Sequence, residues 1–255
     1  MSSGPIVDLK ASLDYFLGLF VDWLLAALHP IRNCQSLLSV EDEGERARKT
    51  FGLLGTSFAV TIILNLPLYQ PYGIGLGSVG FHISSLTCLT FTMIACGLAI
   101  QLSLRIYGIK STLSDTTSIY TACVLCYQPL VAVLSYPSYL RLFSVLSSAK
   151  RQGLDLGQTV NLFLAHSATA DRSYGFIGIS SSLCSCILLA LTCICSTLMA
   201  TVVADRSSAS RLKSFSAFAF ASMILLPPIL VTQGFLGAYV AFNFIELVGS
   251  SGAAH

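Results

Sequence analysis

Five stretches of this sequence are apolar over the length of a bilayer crossing: 51–69, 83–104, 117–136, 175–203 and 214–247. No Asp, Glu, Lys or Arg falls inside them except Glu246, at the edge of the last. A helix needs about 20 apolar residues to cross about 30 Å of hydrocarbon, and each run is near or beyond that length. The chain is therefore predicted to be an all-α polytopic membrane protein with about five transmembrane helices, preceded by an N-terminal interfacial amphipathic helix over about 6–29. Composition agrees, with 54% apolar residues, 10% charged residues and a mean hydropathy of +0.76. Soluble domains carry roughly a quarter charged residues. The organisation that follows is an N-terminal cytoplasmic segment over 1–50, one membrane domain over 51–247 and a tail over 248–255.

The net charge of +2 and the scatter of basic residues over short loops leave no stripe for tracking phosphates, so no nucleic-acid partner is expected. Eight of the nine cysteines (Cys88, Cys96, Cys123, Cys126, Cys184, Cys186, Cys193 and Cys195) lie in apolar runs. They read as small packing residues, and their placement argues against a disulfide framework. The opening MSSGPIVDLK has no basic region ahead of an apolar core, so no cleaved signal is predicted.

Residues 6–28 are nearly continuous in apolar side chains, but Asp8, Lys10, Asp14 and Asp22 interrupt them. Near the bilayer centre each charge costs roughly 2.5–3.5 kcal/mol. A helix lying in the interface is preferred to a span, with Pro30 ending it. The EDEGERARKT segment reads as the solvated start of a helix whose basic end sits at the membrane surface, a docking site for a partner being the other reading. After the first span, Gly75, Gly77 and Gly80 match GxGxxG. The helical runs on both sides exclude a dinucleotide-binding crossover, leaving a glycine-rich turn. Thr112 and Asp115 stand at capping-box spacing ahead of the third run.

Residues 138–174 are more polar, with amphipathic pieces near 139–148 and 159–168 that suit a membrane face. In the fourth run Gly178, Ser182, Cys186 and Ala190 recur every four residues and mark one small-residue face for helix packing. The fifth run has 34 residues, and its roughly 51 Å of helix exceeds the hydrocarbon. Pro227 and Pro228 predict a single tilted or kinked helix. With five spans, ten Lys and Arg residues fall on the N-terminal side and four on the other, which predicts a cytoplasmic N-terminus.

The stretch GIKSTLSDTTSIYTACVLCYQPLVAVLSYP, with a proline before the first span and five spans in all, resembles the Yip domain of the Ypt-interacting-protein family. That family shows a glycine-led loop and then a helix with an aromatic and a proline near its centre, here Gly108, Tyr127 and Pro129. The resemblance covers about 17–247 and implies a non-enzymatic membrane protein. Eukaryotic members sit in Golgi and endoplasmic reticulum membranes, bind prenylated small GTPases or sister proteins and affect traffic or membrane shape; bacterial members are inner-membrane proteins. The short N-terminal segment favours the bacterial type. The partners implied are membrane lipid and a membrane protein or a second copy. Gly108, Tyr127, Gln128 and Pro129 form the candidate binding set.

No catalytic residue, metal site or cofactor is predicted. Gly178-Ile-Ser180-Ser181 only approximates a serine-protease setting. His29, His82, His166 and His255 all fall in loops or at an end, so no histidine stands inside a clear span to serve as its base. Cys123 and Cys126 form a C-x-x-C without a nearby cation to lower a thiol pKa, and they read as packing. His166 and Asp171 fall short of the three or four ligands a metal site needs. Transport is the rival function. Carriers place ionisable residues inside the membrane, whereas this chain offers only Asn65, Gln128, Gln233, Asn243 and Tyr127. A carrier or channel would have its site near Tyr127, Gln128 and the Pro227–Pro228 break, where freed carbonyls can line a cavity.

Overall fold

A computed structural model describes residues 5–155, 157–159, 181–207 and 209–245. Among them there is no strand, and five helical runs are long and apolar enough to cross a membrane: Glu43–Tyr72, Val79–Ile106, Leu113–Leu134, Leu189–Ser207 and Arg211–Phe244. The protein is an all-α polytopic membrane protein. Its helices are α1 (Pro5–Leu28), α2 (Pro30–Leu38), α3 (Glu43–Tyr69), α4 (Val79–Ile106), α5 (Leu113–Cys123), α6 (Gln128–Leu134), α7 (Tyr136–Arg151), α8 (Ser181–Ser207), α9 (Arg211–Phe220) and α10 (Leu226–Phe244).

Proline chemistry sets several of these boundaries. Pro30 follows the end of α1 and opens α2, where its missing N–H is harmless, and the two helices meet at 119°. Pro129 has no N–H for the carbonyl four residues back, that of Leu125. The third span is accordingly not the one helix predicted over 117–136. It breaks at Val124 (φ −122°, ψ −56°) and passes through a 3₁₀ turn, Leu125–Tyr127, into α6. The Leu125 carbonyl accepts instead from the Gln128 N–H of that turn and from the Ser57 hydroxyl. Pro227 and Pro228 would likewise strand the carbonyls of Met223 and Ile224, and there the helix widens into a π turn, Ala221–Leu225, between α9 and α10.

The helices overrun the hydropathy boundaries because charged turns at their ends face out of the apolar layer. Thus α3 begins at Glu43 rather than Phe51, with Lys49 paired to Glu45 at 2.9 Å. The glycine-rich segment is a turn with Gly73 at φ +77°, and α4 starts after it, taking in His82, whose Nε2 lies 3.0 Å from the Gly75 carbonyl. The capping box forms as spaced: Thr112 Oγ1 accepts from Asp115 N at 3.1 Å, and Asp115 Oδ2 accepts from Thr112 N at 3.4 Å. The amphipathic piece near 139–148 lies within α7, whereas residues 160–168 of the second piece lie outside the described residues, as do His166, Asp171, Gly178 and Ser180.

The chain divides into two compact units: Met1–Val60, Met93–Pro129 and Cys193–Pro227 in one, Thr61–Thr92, Leu130–Thr192 and Pro228–His255 in the other. In the second unit Ile74, Phe81, Phe143, Leu146, Val240, Ala241 and Ile245 form a buried core, with the Tyr69 ring 5.4 Å from both Phe81, edge-on, and Phe143, tilted. Lys150 of α7 donates to the carbonyls of Phe242 and Ile245 at 3.2 and 2.5 Å and lies 5.9 Å from the Phe242 ring. A cation on the last carbonyls of α10 complements the negative end of that helix. Lys150→Met is expected to lower stability by about 1–2 kcal/mol, read as an earlier thermal transition in mild detergent.

In the first unit α1 docks by its last turn: Ala26 is buried with Leu37, Leu53 and Cys126, and Trp23 and Ala27 pack against them. Leu13, Phe16, Phe20 and Leu24 stand exposed. Cys34 of α2 and Cys123 of α5 are both fully buried. The C-x-x-C thus lies in packed interior.

Candidate functional site

Charge in the first unit gathers where helix ends meet. Arg46, in the first turns of α3, was expected to be solvated. It is buried instead, because three acceptor contacts replace water: its Nε and Nη2 donate to the Val40 carbonyl at 3.2 and 2.8 Å, and its Nη1 lies 2.5 Å from Asp115 Oδ1. Arg206, from the last turn of α8, approaches the same carboxylate oxygen at 3.7 Å and donates to the Leu38 carbonyl at 2.8 Å. Asp115 therefore caps its own helix and ties the starts of α3 and α5 to the end of α8.

Hydroxyl groups join neighbouring helices as well. Thr50 and Ser118 hydroxyls lie 3.0 Å apart, Ser103 Oγ donates to Ala217 O at 2.5 Å, and Ser196 Oγ lies 3.0 Å from Ser222 Oγ in the π turn. Every Asp, Glu, Lys and Arg in the described spanning helices lies near a helix end. Of the neutral polar groups, Asn243 bonds its own helix at Tyr239 O (2.9 Å), Gln233 is half-buried, and Asn65 is buried without a partner for either amide atom among the described residues.

The four candidate binding residues do not form one site. Gly108 (φ +74°) ends α4 in the left-handed region, where its N–H donates to Arg105 O at 3.0 Å and that of Ile109 to Leu104 O at 2.8 Å. Tyr127, Gln128 and Pro129 sit at the break, beyond the whole of α5, whose 11 residues rise roughly 16 Å along its axis. The Tyr127 hydroxyl donates to Ala27 O at 3.0 Å, Gln128 is half-buried, and Pro129 is buried. These three residues position α1 and shape the third span. Tyr127→Phe is expected to raise amide exchange over the last two turns of α1 by about fivefold, the weight of one half-buried hydrogen bond. Unchanged exchange there would mean the bond does not hold α1.

Gly108 instead lines a cavity of about 500 Å³ with Tyr107, Ile109, Lys110, Ser207, Ala209, Ser210 and Lys213. Its walls are the C-terminal cap of α4 and the first turn of α9, where Ser210 Oγ accepts from Lys213 N at 3.3 Å. The Tyr107 ring packs on Phe220 at 6.4 Å. Only Gly108 of this set was singled out by the sequence; the other wall comes from residues about 100 positions later in the chain.

Of the small-residue face in the fourth run, Ser182 is the second residue of α8, and Cys186 and Ala190 lie exposed on it. Comparison with family models, with curated proteins and with solved structures finds no match.

Proposed function

We propose that this protein is a non-enzymatic membrane scaffold or adaptor of Yip type, working in membrane organisation or trafficking through lateral helix contacts and through its cytoplasmic face. The observation that carries this reading is the placement of charge: among the described residues, every Asp, Glu, Lys and Arg of the spanning helices lies near a helix end, and none stands at the depth where a carrier places its ionisable groups. The exposed Cys186 and Ala190 offer a face on which another helix can approach closely. The neutral groups assigned to a transport path are in part already engaged, Tyr127 with Ala27 O and the Leu125 carbonyl with Ser57. The excess of Lys and Arg on the N-terminal side supports an N-terminus in the cytoplasm. By the same resemblance the membrane is the inner membrane of a bacterium, with Golgi or endoplasmic reticulum the corresponding place in a eukaryote.

The test is purification of the full chain in mild detergent after oxidative cross-linking in its own membrane. A stoichiometric membrane protein or a second copy is expected in the adduct, trapped through Cys186 and lost in Cys186→Ser. A chain that yields neither adduct nor stoichiometric partner, and that passes a small solute when reconstituted in vesicles, overturns the adaptor reading in favour of transport.

A further inference from the structure

The cavity beside Gly108 has a chemical character that the adaptor reading does not require. Its two wall segments, 105–110 and 206–213, contain Arg105, Lys110, Arg206, Arg211 and Lys213 and no acidic residue. Among the described residues only Arg206 of these five is in an ion pair, and its partner Asp115 is held more closely by Arg46. Lys110 and Lys213, both exposed, enter the cavity from opposite walls with no counter-charge. About 500 Å³ is within the range of volumes that hold a small ligand. The Ser207 hydroxyl donates to Val203 O at 2.7 Å and Ser210 Oγ accepts from Lys213 N at 3.3 Å, so among the described residues the lining side chains offer two lysines with the Tyr107 and Ser210 hydroxyls as donors. The cavity also lies at the ends of three spanning runs, between the C-termini of α4 and α8 and the N-terminus of α9, where lipid headgroups are found.

We infer that this cavity binds a phosphate group, with Lys110 and Lys213 as its paired cations. The shared chemistry is that of an anionic phospholipid headgroup or a soluble phosphate ester. Basic pockets between spanning helices at the membrane surface are suited to such groups, since low dielectric on the lipid side strengthens the attraction. The site goes beyond the adaptor reading and stands whether or not a protein partner exists.

The experiment uses the full chain in phosphatidylcholine nanodiscs, without and with phosphatidylglycerol as a minor component, and counts retained lipid by native mass spectrometry. A parallel arm titrates inorganic phosphate and glycerol phosphate against the phosphatidylcholine sample. Lys110→Gln/Lys213→Gln is compared with wild type and with Lys49→Gln, a control that removes one cation elsewhere. Retention of phosphatidylglycerol that falls at least about tenfold in the double variant, and not in the control, supports the site with a lipid source. Saturable binding of the soluble phosphates with the same dependence supports it with a soluble source. Equal retention and equal titration in wild type and double variant overturn it. Matching thermal transitions in phosphatidylcholine alone establish that the double variant is folded. Should it not fold, the single variants Lys110→Gln and Lys213→Gln, each expected to lose about threefold or more, decide the question in the same way.

Discussion

Gly97→Leu is expected to abolish recovery of a monodisperse, folded protein. A Cβ at Gly97 would stand 2.3 Å from Thr117 Cγ2 and 3.1 Å from the Thr117 Cα and N, so α4 and α5 approach backbone to backbone there. The side-chain contact can turn away, whereas the two backbone contacts move only if the helices separate. Gly97→Ala, the smallest change, should cost about 2–3 kcal/mol by overpacking. Adding Thr117→Ala should recover part of that loss, since it removes the 2.3 Å contact and leaves the 3.1 Å contacts in place. The measurement is thermal unfolding in mild detergent followed by the single tryptophan, Trp23. A Gly97→Leu variant that melts with wild type would show that α4 and α5 do not meet at this point.

Arg46→Met is expected to cost about 3 kcal/mol, because it leaves the half-buried Asp115 with only a more distant arginine and removes the Val40 carbonyl's donor from Arg46. Arg206→Met should cost far less, within about 1 kcal/mol, since its side chain is 47% exposed and lies 3.7 Å from the carboxylate. Asp115→Asn removes the charge that Arg46 meets and keeps an oxygen able to cap α5, so Arg46→Met combined with Asp115→Asn should cost less than the sum of the two single changes. Additive losses in that cycle would count against a direct Arg46–Asp115 interaction, however large each loss is.

Of the features that position the candidate site, those made by neighbours in the chain were legible in the sequence. Thr112 and Asp115 stand three residues apart, and their capping box forms from that spacing alone. Pro227 and Pro228 announced a kink, because a missing N–H acts on a carbonyl four residues away, whereas the stretch through Pro129 read as one span. The form of each break, a 3₁₀ turn in one and a π turn in the other, was not announced. The sequence singled out Gly108, Tyr127, Gln128 and Pro129 together, but about 16 Å of α5 separates the first from the rest. It marked the small residues of the fourth run for close packing, and among the described glycines the tightest approach is at Gly97, a lone glycine in an apolar run with no periodic signal.

Membrane insertion and the all-α character were determined by the sequence itself, because transfer of an apolar run into lipid depends on the side chains of that run and on little else. The tertiary structure decided that Arg46 is buried, that Asp115 serves three helices, and that Lys110 and Lys213 share a cavity. Residues 46 and 115 are 69 positions apart, and Lys110 and Lys213 more than 100. Their pairing depends on which helices lie side by side. That choice is made by small contacts, a glycine against a threonine or a hydroxyl against a carbonyl, whose partners cannot be told apart by hydropathy.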